Sequence, residues 1–345
     1  MKIVYLIGNG FDLNLGMKTS YRDFYEYYIK LPTDYDADIV KRLKREIRDN
    51  VKNWSDFELS LGEFLDEKVA SQDAITLHKH LIEYLQKYLE MEENKYIFDN
   101  VQKKLLGDYL SYPYLNAKLS PRELTRITGT MSEWKDNLWD VKIITFNYTR
   151  SIEKLLDSDI NQKIFIGWHH ADCGIYLSAI EHVHGFTDER MILGVNDISQ
   201  IKNSKLLIDT DVVDSYVKSN CNNNVYESDH DTMCQQWIKE ANLICLFGLS
   251  FGDTDKRWWN AVGDVLQNGS IVIIFEHIAG NVPNGNQGLD KRNLKRHFKN
   301  KFLSKTNVGE DSKEGVKDNL YIAFSKDMFK FGKLKESIET DSESV

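Results

Sequence analysis

Apolar residues fall along this chain in two rhythms. Near the start, Ile3-Val-Tyr-Leu-Ile7 is a short continuous apolar run, and it ends at Gly8. Such a run, rich in β-branched side chains, reads as a strand buried on both faces of a parallel sheet. The same pattern returns at Val141–Phe146, Leu243–Phe247 and Ile271–Phe275. The second run leads into Asn147-Tyr-Thr149 and a helical pattern at Ile152, Leu155 and Leu156. The third leads into Gly248-Leu-Ser-Phe-Gly252 and a helix-like stretch over Asp255–Leu266. Strand, loop, helix and strand in this order predict βαβ units and an α/β layered fold. Ile180–His184, Met191–Val195 and Tyr321–Phe324 are weaker strand candidates.

Between Ser20 and Asn137 the rhythm changes. Strand-like runs vanish, and apolar residues recur at helical spacing, as at Phe24, Tyr27 and Tyr28 or Leu81, Leu85 and Tyr88. Ser20-x-x-Asp23 and Ser55-x-x-Glu58 have the type and spacing of capping boxes. Residues 20–137 are therefore expected to form a helical insertion. A smaller insertion is expected over 198–240, around the polar Asn222-Asn-Asn224. That leaves 1–19 and 138–335 as the α/β core and 336–345 as a polar, acidic, frayed tail.

Composition narrows the class. The 345 residues are 41% hydrophobic and 28% charged, which suits a globular chain with a large core. Lys and Arg number 44 against 53 Asp and Glu, so the formal net charge is −9. That balance argues against a general nucleic-acid or membrane-surface binder, which needs a basic footprint. The basic run Lys41–Arg48 is the local exception, and its acidic flanks give it the character of a solvated helix face. The four cysteines include no C-x-x-C pair and suit a reducing cytoplasm. No signal peptide or membrane-length apolar run is expected.

Four loops carry candidate chemistry. Gly8-Asn9-Gly10-Phe11-Asp12 leaves the first strand, where glycines let backbone amides approach a phosphate and a helix N-terminus adds its dipole. Leu13 breaks the full G-x-G-x-x-G fingerprint, and a tight turn is the plain alternative. Thr145-Phe-Asn147-Tyr-Thr149 ends a buried strand, which is where ligands bind in open α/β sheets. The Asn147 amide both donates and accepts, so it can orient a water, hold a carboxamide or cap a helix. His182-Val-His184-Gly185 places two histidines on one strand face. An acid/base role, a structural role, and a metal site with His169, His170 and Cys173 all remain open there, and no closed zinc spacing is present. Gly248-Leu-Ser250-Phe-Gly252-Asp253-Thr-Asp255 offers amides and a hydroxyl to a phosphate. It also fits the nucleophile-elbow pattern, but the most site-like histidine, His184, lies upstream of the serine, against the triad order. Glu276 follows the fourth run, at a place suited to ribose hydroxyls. Trp258 and Trp259 read as core.

The order of these loops is more informative than any one of them. Ile7-Gly-Asn-Gly-Phe-Asp-Leu-Asn-Leu-Gly16 with Thr19-Ser-Tyr21 and Phe24 resembles the start of the AbiH family of phage abortive-infection proteins. Trp54-x-x-Phe57-Glu58, Phe146-Asn-Tyr-Thr149 and His182-x-His-Gly185 extend the resemblance over most of the chain. The same loops distantly resemble the sirtuin-like NAD-binding fold. That resemblance implies a Rossmann-like, mostly parallel sheet. It places Gly8, Gly10, Gly248 and Ser250 at the nucleotide, with Asn147 and His184 as catalytic residues, although Asn9 stands where the sirtuin loop has a small residue. By their positions on the same loops and strand ends, Asn9, Phe11, Asp12, Thr145 and Glu276 are expected at the nucleotide as well. Thr149 stands where the sirtuin loop has Asp, and the sirtuin zinc module is absent. Protein deacylation is thus not expected, whereas hydrolysis of NAD to nicotinamide and ADP-ribose is. The expected ligand is NAD as substrate, without metal, and the expected partners are a small-molecule nucleotide and a phage-derived trigger. Self-assembly stays open. Two other functions stay open as well. One is a nucleotide sensor without chemistry. The other is a metal-dependent nuclease built on Asp12, Glu58, Asp253 and Asp255.

Overall fold

The computed structural model describes every residue except 55, 99, 157–161, 171, 279–286, 325–327, 333–334 and 337–345. The chain opens with β1 (Lys2–Ile7), α1 (Gly10–Leu15), α2 (Tyr21–Tyr28), α3 (Asp38–Asp49), α4 (Phe57–Phe64) and α5 (Ser71–Glu93). It continues with β2 (Tyr96–Ile97), α6 (Asn100–Ser111), α7 (Pro113–Asn116) and α8 (Pro121–Met131). Then come β3 (Trp139–Thr145), α9 (Ser151–Leu156), β4 (Ile164–His170) and β5 (Cys173–His182). The second insertion carries α10 (Thr210–Tyr216), α11 (Lys218–Asn220) and α12 (His230–Glu240). The last part holds β6 (Leu243–Phe247), α13 (Lys256–Gln267), β7 (Ile271–Phe275), α14 (Gly288–Leu303), α15 (Glu310–Val316), β8 (Leu320–Ala323) and β9 (Lys335–Glu336).

Seven strands form one sheet in the order β4-β5-β3-β1-β6-β7-β8. Every neighbouring pair is parallel except β4 with β5. Along the chain, strands are first laid down on one side of β1, as β3 and β5, and then on the other, as β6, β7 and β8. The direction of winding therefore reverses at β1. Alternate residues of each strand serve the two faces, as period 2 requires. Ile3, Tyr5, Ile143, Cys245 and Ile273 join one core with α1, α6, α8 and α9. Val4, Leu6, Ile144, Ile244 and Ile274 join a second core with α12, α13 and α14. Both faces are covered, which explains why these strands are apolar throughout. Trp258 and Trp259 are fully buried in the second core, as their sequence context implied.

A third core lies off the sheet. It joins α2–α5 to Met191, Leu193, Val195 and the residues around α10. The helical stretch from 20 to 137 thus does two jobs. Its first half packs with the second insertion, while α6 and α8 cover the sheet. Capping follows the sequence in part. Ser20 and Asp23 form a reciprocal capping box on α2. On α4 the cap is Asp56, whose carboxylate accepts from the Leu59 amide; Ser55 lies outside the described residues, as does the tail beyond Glu336.

Two strand expectations need correction. Met191–Val195 is not a strand; Val195 makes one isolated bridge to Val217, and Tyr148 donates to the Ile192 carbonyl instead. The strand expected over Ile180–His184 starts earlier and ends at His182, so His184 lies on the turn beyond it. The basic run Lys41–Arg48 is also less solvated than expected. Lys44 is buried against Asp36, and Arg42 pairs with Asp66.

Candidate functional site

A cleft of 1460 Å³ opens at the carboxyl ends of the parallel strands, between the sheet and the helices of the first insertion. It is lined by the loops after β1, β3, β5, β6 and β7 and by Tyr21, Trp54, Glu58 and Leu89 from the insertion. The winding reversal at β1 explains the position. Loops leaving strands on opposite sides of the switch point turn away from each other and leave a crevice.

Two glycine loops meet at its floor. A Cβ on Gly10 would lie 2.4 Å from the Gly248 Cα, and one on Gly8 would lie 2.6 Å from the Gly248 carbonyl oxygen. Gly248 itself has φ +69°, in the left-handed region that favours glycine. The glycines therefore serve backbone-on-backbone contact between the first and fourth loops. The Gly8 amide donates to the Phe247 carbonyl at 2.9 Å, and the Gly10 amide to the Gly248 carbonyl at 3.0 Å. These amides are not free for a phosphate, as the sequence had suggested. On the fourth loop the amides of Leu249, Ser250 and Phe251 find no acceptor among the described residues. Asn9 is tied locally, donating to the Thr19 carbonyl at 2.9 Å and accepting from the Thr19 hydroxyl at 2.6 Å.

Asp12 sits in the first turn of α1 and is 1% exposed. Its carboxylate accepts from the Thr149 and Ser151 hydroxyls, each at 2.6 Å. Burial raises the Asp12 carboxyl to about 6; the Ser151 and Thr149 bonds pull the other way, and the Glu93 charge adds to the rise. The Asn147 amide group contributes weakly at this carboxylate. Yet neither Nδ2 nor Oδ1 of Asn147 makes a well-formed hydrogen bond, although both are buried. Asn147 does not cap α9, which starts at Ser151. Its loop is held instead by His182, whose Nδ1 donates to the Asn147 carbonyl at 2.7 Å while Nε2 meets Glu153 at 2.7 Å. His182 is thus structural.

His184 belongs to a different network. Its Nε2 lies 3.0 Å from Asp255 Oδ1. Lys218 Nζ donates to that same oxygen at 2.9 Å and to Glu58 Oε2 at 2.7 Å. The Thr254 hydroxyl also reaches Glu58, at 3.0 Å. Burial alone would raise the Asp255 carboxyl, but the Lys218 ammonium and the His184 ring outweigh it and hold it below the usual carboxylate range. Burial, with the Asp255 charge, raises the Glu58 carboxyl against the pull of Lys218. Burial would lower the Lys218 ammonium, but Asp255 and Glu58 raise it overall. With an ionised carboxylate as partner, His184 Nε2 carries a proton. Among the described residues, Nδ1 makes no hydrogen bond.

The sequence profile described as bacteriophage abortive infection AbiH matches residues 4–277, which take in all five cleft loops. The chain belongs to the AbiH family. Membership gives it a role in phage abortive infection. A comparison with curated proteins finds no match.

Set against this AbiH fold, most expected site residues meet in one place. Gly8, Asn9, Gly10, Asp12, Asn147, His184, Gly248, Ser250 and Glu276 all line the cleft. Phe11 and Thr145 do not. Phe11 packs edge-to-face with Phe247, Phe329 and Phe331 in the core, and the Thr145 hydroxyl accepts from the Asn147 backbone N–H within its own turn. Burial raises the Glu276 carboxyl, opposed by Lys301. The carboxylates proposed as a metal set go separate ways. Asp12 meets hydroxyls, Glu58 and Asp255 share Lys218, and Asp253 pairs with Lys305. Among the described residues, no three His, Cys, Asp or Glu side chains converge as ligands. No histidine bonds Ser250 among them either. No described helix is long and apolar enough to cross a membrane.

Three AbiH residues were missed by sequence reasoning. Lys218 reaches the site from the second insertion and is 1% exposed. Lys301 and Lys305 line the cleft mouth from the end of α14 and the turn beyond it, past the AbiH match. The α14 run Lys291-Arg-Asn-Leu-Lys-Arg296, followed by Lys299 and Lys301, was the available signal.

Proposed function

We propose that the cleft hydrolyses NAD at the bond between nicotinamide and ribose, and that loss of NAD is how this protein aborts infection. The observation that carries the reading is the Asn147 side chain, 4% exposed in the cleft with both polar atoms unpaired. A buried amide without partners costs free energy that a complementary ligand recovers. A group with a donor beside an acceptor complements a carboxamide at both atoms, and the carboxamide of nicotinamide is such a group. The strand order supports the reading further. Numbered along the chain, the six parallel strands run 3-2-1-4-5-6, the order of doubly wound dinucleotide-binding sheets. In this reading residues 1–19 and 138–335 are a Rossmann-like, sirtuin-like core, and the insertions 20–137 and 198–240 close over the ligand.

The chain's own groups have simple tasks. The free amides after β6, with Ser250, Lys301 and Lys305, take the diphosphate. Glu276 takes ribose hydroxyls. Asn147 aligns the nicotinamide carboxamide. Departure of neutral nicotinamide leaves an oxocarbenium-like ribose, and a water adds to it to give ADP-ribose. His184 Nδ1 accepts the proton that this water loses, and Asp255 stabilises the imidazolium that results. Lys218 keeps Asp255 ionised, and Glu58 holds Lys218 in place.

The test is release of nicotinamide from NAD by purified protein in the presence of phage lysate, followed by chromatography. Release by wild type, and its loss in both Asn147→Ala and His184→Ala, is the expected result. Recovery of intact nucleotide from a wild-type protein that remains toxic in cells would overturn it in favour of a sensor.

A further inference from the structure

Asp12 has a feature that nucleotide binding in general does not explain. Its carboxylate lines the cleft, is almost fully buried, and has no cation beside it. Its hydrogen-bond donors are the neutral hydroxyls of Thr149 and Ser151, and the neutral Asn147 side chain lies beside it without a formed bond. Among the described residues, no Lys, Arg or His lies within ion-pair distance of it. The Glu93 charge adds to the burden, since it raises the Asp12 carboxyl further. Glu93 itself is turned toward the Arg150 amide at 2.7 Å and Lys154 at 3.4 Å. Burying a carboxylate is costly unless something positive pairs with it.

A second observation lies alongside. Asn147 presents an unpaired, buried amide beside the same carboxylate. Together they ask for a ligand that carries both an amide and a positive charge, a short distance apart. A diphosphate does not fit here, because an anion at Asp12 would repel it.

We propose that Asp12 is the counter-ion for a cationic pyridinium ring, so that the cleft selects the oxidised, positively charged dinucleotide over its neutral, reduced form. The inference rests on the NAD reading and goes beyond it. It divides the cleft into a cation end at Asp12 and Asn147 and an anion end at the fourth loop, Lys301 and Lys305. The raised carboxyl agrees with this division, because a ligand cation would bring it back toward its ordinary value.

The experiment measures dissociation constants of the full chain for the carbocyclic analogue of NAD, which keeps the charged ring but resists hydrolysis, and for its reduced form. Wild type is expected to bind the oxidised analogue at least ~10-fold more tightly, the scale of one charge pair shielded from water. Asp12→Asn is expected to bring the two within ~3-fold, chiefly by weakening the oxidised form. Equal binding of both forms by wild type overturns the assignment of Asp12 and leaves the NAD reading standing. Binding of neither form overturns the NAD reading and this inference together. A preference retained in Asp12→Asn also overturns it. The wild-type comparison needs no variant, so it decides the matter even if Asp12→Asn does not fold.

Discussion

Replacing Lys218 with methionine takes one buried ammonium away from two carboxylates at the cleft wall. Lys218 is 1% exposed and Glu58 5%. Lys218 Nζ lies 2.7 Å from Glu58 Oε2 and 2.9 Å from Asp255 Oδ1, so both carboxylates lose their shared cation at once. Methionine nearly fills the volume, which keeps any cavity cost small. What remains is two buried carboxylates facing each other. Breaking a buried ion pair from one side costs about 3–5 kcal/mol, because the stranded charge has no partner. Glu58, already raised by burial, takes up a proton to relieve the repulsion. At roughly 2–4 °C per kcal/mol for a large domain, the melting temperature should fall by roughly 10 °C. Thermal unfolding followed by circular dichroism at pH 7.5 reads this directly. Adding Glu58→Gln to Lys218→Met removes one of the two stranded charges and should recover much of the loss. A fall of less than about 1 kcal/mol, or no recovery in the double variant, would refute the network as described.

Other outcomes follow from the same geometry. Asp12 titrates near 6 in the fold against 3.8 in the unfolded chain, so the folded state holds its proton more tightly and loses stability as pH rises through that window. Asp12→Asn lacks this loss, and its stability relative to wild type should improve by about 2 kcal/mol between pH 4 and pH 7 in urea titrations; a pH-independent difference would count against the buried carboxylate. Gly10→Ala drives a Cβ to 2.4 Å from the Gly248 Cα and should destabilise the protein by about 1–3 kcal/mol, whereas Gly129→Ala, with no neighbour at that position, should be neutral or stabilising. Matched melting curves would contradict the loop contact. Trp258→Ala, fully buried behind β6, should cost about 3–5 kcal/mol by urea unfolding, and a smaller loss would show that the second core can collapse around the gap.

The strands that position the site were legible because burial on both faces leaves a plain trace. Ile3–Ile7, Leu243–Phe247 and Ile271–Phe275 are apolar at every position, and each ends in a loop that lines the cleft. Strand β4 was not legible. It is an edge strand, and Phe165 and Trp168 point to solvent, so its pattern carries no clear period. Met191–Val195 misled for the opposite reason. Its apolar residues are buried against the insertion helices, not in the sheet, and burial alone does not tell a strand from a packed loop. Asn147 and His184 could be picked out because they follow strand ends. Lys218 could not. It meets Glu58 across 160 residues of sequence, and a lone lysine in a polar insertion gives no sign that it is buried. The partners of Asp12 were equally hidden, since Thr149 and Ser151 lie more than 130 residues away and nothing in their spacing ties them to α1.

The central claim is that Asn147 and His184 act together on the nicotinamide end of NAD. The direct measurement is the rate of nicotinamide release by the purified, lysate-activated protein, compared among wild type, Asn147→Ala and His184→Ala with melting curves taken on each. The account predicts release by wild type and a loss of about 100-fold or more in each variant at unchanged stability. Release that persists in both folded variants, or a wild type that binds NAD and returns it intact, would contradict it.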